Sequence, residues 1–148
     1  MGRSNYLPCG GWITGEVEGP GVVKPLSIKY AGIYNSDMSI RITDITDGTS
    51  NTIGWMETTG AASISPRDYA VSWMGGCSTG TANGIPGGPA QHWFPCSFHT
   101  HIVSVSMCDG SVHSFHDGIT YPNSPLWIVL QRLGGRQDGE VAGVSEVE

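Results

Sequence analysis

The sequence predicts an α+β domain that is mostly β, with an antiparallel sheet, one short C-terminal helix and long Gly/Pro-rich loops. Three observations predict it. The 148 residues include 22 Gly and 9 Pro, above the roughly 12% that globular chains average. They are spread along the chain, as short strands joined by tight turns require. Residues 101–116 alternate on both sides of Asp109-Gly110, the dipeptide that signals a hairpin most strongly. Ser124 to Leu133 alone carries helix punctuation: Ser124 as N-cap, Pro125 at the first helical position, Arg132 in the last turn and Gly134-Gly135 as the stop. At this length one domain over residues 1–148 is expected.

The elements follow in order. Residues 1–25 read as looping chain with a short strand near Trp12-Ile13. Residues 26–42 read as one or two strands, with a period of two over Ser39 to Thr43. Asp44 to Thr52 is dense in Asp, Asn, Ser and Thr, whose side chains bond their own backbone, and Gly48 tolerates positive φ. Ile53 to Glu57 and Tyr69 to Met74 read as strands. Residues 75–97, rich in Gly and Pro, read as a long surface loop, a place where function often sits. A two-residue turn at Asp109-Gly110 pairs Cys108 with Ser111, Met107 with Val112 and Val105 with Ser114. One face then carries His101, Val103, Val105, Met107, Val112, Ser114 and His116, and this face is expected to meet the core. Residues 141–148 read as a frayed acidic tail.

The formal charge is −6 with only seven Lys plus Arg. No basic cluster is present, which excludes nucleic acid as an expected partner, because phosphate neutralisation needs grouped cations. No run approaches the roughly 18 apolar residues of a membrane span. Of the four cysteines, no two form a C-x-x-C pair. An even count suits two disulfides in an oxidising compartment, with three connectivities open. Cys77 with Cys96 is the expected pair, closing the loop between them. The alternative is free buried thiols, Cys108 among them.

Several segments share one pattern. His99 is followed after nine residues by Asp109-Gly110, and Arg41 to Ile53 reads RITDITDGTSNTI, with Glu57 shortly after. Arg3 to Tyr6 and Leu130 to Glu140 fit the same pattern at the two ends. The chain thereby resembles the H-x9-DG family of prepilin-like, pseudopilin-related bacterial envelope proteins. The resemblance makes His99, Asp109, Gly110, Asp44, Asp47, Gly48, Ser50, Asn51 and Glu57 family-motif residues. It implies a pilin-like globular head, exported to the periplasm, cell surface or exterior, with protein partners in an envelope or pilin-like assembly. Family members begin with a prepilin leader and a hydrophobic stem helix, which this sequence lacks. It is expected to be the head without its stem, so the membrane would be reached only through the absent helix. The sheet face left bare would invite a homo-oligomer.

Three groups of residues could carry chemistry. His99, His101 and His116, grouped by the two-residue turn, could hold zinc or copper; the structural reading, which is preferred, is hydrogen bonding at the sheet edge. Asp44, Asp47 and Asn51 could hold calcium, as pseudopilin heads do in loops; a self-capping turn is the preferred reading. Trp73, Trp93 and Phe94 could stack on a sugar or dock a partner, or cover the core. No G-x-S-x-G elbow appears. The expected function is a non-catalytic structural or interaction head, with a metal-dependent enzyme or sugar-binding module as the rival.

Overall fold

The computed structural model describes residues 4–12, 28–35, 38–59, 78–87, 94–120 and 124–148. Five strands form the main sheet: β1 (Tyr6–Gly11), β2 (Ile53–Glu57), β3 (Thr79–Gly80), β5 (Ile102–Met107) and β6 (Val112–His116), in the order β3-β1-β2-β5-β6. Only β3 against β1 is parallel; the other pairs are antiparallel. β4 (Gly84–Ile85) and β7 (Ile119–Thr120) make a separate two-stranded ribbon. Helix α1 (Leu126–Gly134) follows. This is the mostly-sheet α+β fold with one short C-terminal helix that the sequence predicts.

The inner face of the sheet meets α1. Val103, Val105 and Met107 from β5, Phe115 from β6, Ile53 and Met56 from β2 and Cys9 from β1 pack with Val129, Leu130 and Leu133. Burying one such side chain contributes roughly 1.5–3 kcal/mol. β2 reaches this core through a bulge between Ile53 and Trp55, where the pairing with β5 shifts. A regular strand would send Ile53 and Met56 to opposite faces. A smaller cluster sits beside it, where Trp12 meets Trp127 edge-on at 5.2 Å and the Trp127 indole donates to Ala82 O at 2.7 Å. Gln131, fully buried on α1, accepts from Thr81 Oγ1 and donates to Thr81 O, both at 2.7 Å, so its amide is satisfied.

Several expectations are corrected. The hairpin turn has three residues, not two: Gly110 N donates to Met107 O, Met107 N donates to Ser111 O, and Gly110 has φ 89°. The pairing becomes Val103 with Phe115, Val105 with His113 and Ser106 with Val112. That one-residue shift turns β6 over. Phe115 is buried, while Val112 is 72% exposed. The N-terminal strand spans Tyr6–Gly11, ending just before Trp12, and Ile13 lies outside the described residues. Ser39 to Thr43 forms no strand, since Ile42–Asp44 is a 3-10 turn tied by Arg41 N to Asp44 Oδ2 at 2.8 Å. Within 75–97 the chain is not simply a surface loop. It supplies β3 and β4, and Thr79, Thr81, Ile85 and Cys96 are buried. The tail is not frayed. Ala142 and Val147 are buried, and Val147 O accepts from His116 N at 2.8 Å. The strand expected at Tyr69 to Met74 lies outside the described residues.

Candidate functional site

The two sequence motifs meet along the β2–β5 pair. At one end, Thr49 O accepts from Asp109 N and Thr52 O accepts from Cys108 N, at 3.1 and 2.9 Å. At the other end, Glu57 lies across from Ser104 on the outer face, and His99 approaches it. The nine-residue gap between His99 and Asp109 is thus the length of chain that spans β5 and lets both ends touch β2's flanks.

Glu57 is the charged centre of the second contact. Its Oε1 accepts from Ser97 Oγ at 3.0 Å and its Oε2 from Ser104 N at 3.1 Å. His99 Nε2 stands 3.5 Å from Oε1, and His99 N donates to Ser97 Oγ at 2.9 Å. The carboxylate is nearly buried and the imidazole is exposed. In an acyl-transfer triad the imidazole stands between hydroxyl and carboxylate. Here the carboxylate stands in the middle and Ser97 gives its proton to it. Beside this group Cys96 is wholly buried, with Thr59 N 3.3 Å and Thr59 Oγ1 3.2 Å from its sulfur.

Asp47 does a different job. It is buried, and its two oxygens accept from Asp138 N at 2.7 Å and Gly139 N at 3.0 Å. Asp47 N in turn donates to Arg136 O. The loop is therefore the dock for the segment after α1. Asn51 Nδ2 donates to Asp47 O, Asn51 N to Gly48 O and Thr52 Oγ1 to Gly48 O, which close the turn on itself. Ser50 is exposed beside them. Asp138 Oδ2 is buried without a partner, and burial, with the neighbouring charges of Asp47 and Glu140 adding to it, pushes the Asp138 carboxyl up to about 6. Asp109 accepts from Ser111 N and Ser111 Oγ at 2.9 and 2.7 Å, and these donors hold its carboxyl below the usual range.

The structure separates the histidines that a two-residue turn would group. Ile102 pairs with His116, and His101, at φ 58°, turns its Nδ1 to Asp117 Oδ1 at 3.3 Å. His113 bridges Glu148 and Ser111. Among the described residues, no three His, Cys, Asp or Glu side chains are grouped to hold a metal. Asp44 Oδ2 and both Asp47 carboxylate oxygens accept from backbone amides instead, and Asn51 donates through Nδ2 to Asp47 O. Cys96 is a free thiol, as are Cys9 and Cys108. The expected bridge to Cys77 is thus missing at its Cys96 end, and Cys77 itself lies outside the described residues, as do Trp73 and Trp93. Phe94 is half-buried. Sequence reasoning missed Ser97 and Ser104. Their only signal is a Glu inside an otherwise apolar strand, which must find donors somewhere.

Fold and site define a class: a small β-rich α+β domain whose signature residues fasten its own sheet and C-terminal segment. The chain belongs to the family described as protein of unknown function DUF1559, whose model matches residues 26–120. This is the H-x9-DG family that the motifs resemble. No curated protein and no solved structure matches the chain. Among the described residues no helix is long and apolar enough to cross a membrane.

Proposed function

We propose that the chain is a non-catalytic structural or interaction head of an exported, pseudopilin-like envelope protein. One observation carries the reading. The motif carboxylates that could have served catalysis or a metal are committed to internal donors: Asp47 to two backbone amides, Glu57 to Ser97 and Ser104, and Asp109 to Ser111. Residues used this way specify a fold and leave the outer surface to do the work. The partners on this reading are proteins of an envelope or pilin-like assembly.

The test places a photo-crosslinking residue at Trp55, at Val112 or at Gln137 of the protein expressed in its native host. Crosslinks to envelope proteins from at least one of these exposed positions support the reading. A purified protein that holds stoichiometric zinc or calcium and loses a hydrolytic activity on chelation would replace it with the metal-enzyme alternative.

A further inference from the structure

The outer face of the sheet carries a groove lined in part by the motif run itself, through Arg41, Ile42 and Ile45, and by Gly110. Its volume is about 400 Å³, and Ile33, Ile40, Ile42, Ile45 and Trp55 are the large apolar side chains in its wall beside Met107, with Arg41 among them. The strand register explains why no helix covers this face among the described residues. α1 covers the inner face, while Trp55, Ser104, Ser106, Val112 and Ser114 alternate outward. The three serines are short, so a partner's backbone could lie close to the strands.

The apolar surface runs past the groove. Ile42 is 68% exposed and Trp55 42%, and Tyr6 and Val112 are exposed on the same sheet face. Large apolar side chains grouped on one exposed face are what an interaction site presents. A small ligand is the weaker occupant, because ligand pockets enclose roughly 70–90% of what they hold, and this groove lies open along the sheet.

Charge selects the chemistry of the occupant. Lys29 and Arg132 both pair with Glu140. Arg136 is buried and donates to Ala31 O and Gly32 O. Among the described residues this leaves Arg41 as the cation with neither a carboxylate nor a carbonyl partner. In a chain of net charge −6, a residue lining an apolar groove thus carries the one guanidinium that lacks such a partner among the described residues. A guanidinium there suits a carboxylate, which it can hold through two parallel hydrogen bonds.

We propose that this face docks a protein segment that presents an apolar side chain to the groove and, beside it, an Asp or Glu carboxylate to Arg41. The proposal rests on the reading of the chain as an interaction head and names the chemistry of what the head meets.

Short random peptides displayed on phage and panned against the whole chain test it. The expected selection pairs an apolar residue with a neighbouring Asp or Glu. The best peptide weakens about tenfold on Arg41→Gln, and it weakens likewise on Trp55→Ala but not on Gln137→Ala. Panning against Arg41→Glu instead selects Lys or Arg at the same place. The thermal midpoint of Arg41→Gln stays close to the parent value, since the guanidinium makes no hydrogen bond or ion pair among the described residues. Peptides without a carboxylate, binding untouched by Arg41→Gln, decanoate bound as tightly as any peptide, or self-association abolished by Trp55→Ala would each overturn it. The two proposals fail separately. In-cell crosslinks from Gln137 but not from Trp55 or Val112 would keep the interaction head and remove the groove.

Discussion

Asp47 reaches across the chain to amides 91 and 92 residues downstream, so one side chain supplies two of the bonds that dock the segment after α1. Charge-assisted bonds of this kind contribute roughly 1.5–3 kcal/mol each, and leaving buried donors unpaired adds to the loss. Asp47→Ala should therefore lower stability by about 3 kcal/mol, a fall in thermal midpoint of roughly 10 °C. Asp47→Asn should recover part of it, because the amide keeps one acceptor. Calorimetry on the three proteins reads this directly, and equal midpoints would show that the segment is held by something else. The thiols give a second expectation at this scale. Burial pushes Cys9 up to about 12, and burial together with the Asp109 charge pushes Cys108 up to about 11. Thiolate is the reactive form. Iodoacetamide at pH 8 should leave Cys9 and Cys108 largely unmodified in the native protein and label both in denaturant, as peptide mass spectrometry will report.

The hairpin shows what an element owes to its turn. Gly110 sits at φ 89° with open space where a Cβ would go, whereas Gly84, at φ 79°, would place a Cβ 1.7 Å from Ile119 O. Gly110→Ala therefore faces only the backbone penalty, about 1 kcal/mol. Gly84→Ala must also push β4 and β7 apart and should cost more than about 3 kcal/mol. Urea midpoints of the two variants should fall in that order, and equal losses would contradict the geometry. The sequence made β5 readable because Val103, Val105 and Met107 alternate with serines. It left β6 ambiguous because Asp-Gly serves both two- and three-residue loops, and one residue of difference exchanges Phe115 for Val112 in the core. The bulge beside Gly54 was equally silent, since nothing local says that Ile53 and Met56 share a face. Ile40 and Ile42 imitate a strand by alternation, while Asp44 on Arg41 N closes a 3-10 turn instead. At the site, Glu57 and His99 were legible from the motif, but Ser97, Ser104 and the Asp47 dock depend on contacts formed only when distant segments meet.

For the molecule as a whole, Asp138 makes stability rise on mild acidification. Its carboxyl titrates near 6 in the fold against an ordinary 3.8, first because burial disfavours the charge and then because Asp47 and Glu140 lie close. A group raised in this way contributes fully below its unfolded value and loses that contribution as pH climbs through its folded value. A shift of about two units corresponds to roughly 3 kcal/mol at most. Because Asp138 is only half-buried, water screens it, and about 1 kcal/mol is the better expectation. The lowered carboxyls of Asp109 and Glu140 act with the opposite sign, but only as pH falls through the ordinary carboxylate range. Between pH 7 and 5 they stay ionised and do not mask the effect. Asp138→Asn keeps an acceptor for Glu140 N and removes the charge. The wild-type minus Asp138→Asn difference in unfolding free energy should therefore shift in favour of the wild type by about 1 kcal/mol from pH 7 to pH 5. At pH 7 the variant should be the more stable of the two. A difference independent of pH across that interval would mean that the buried Asp138 Oδ2 carries no proton there.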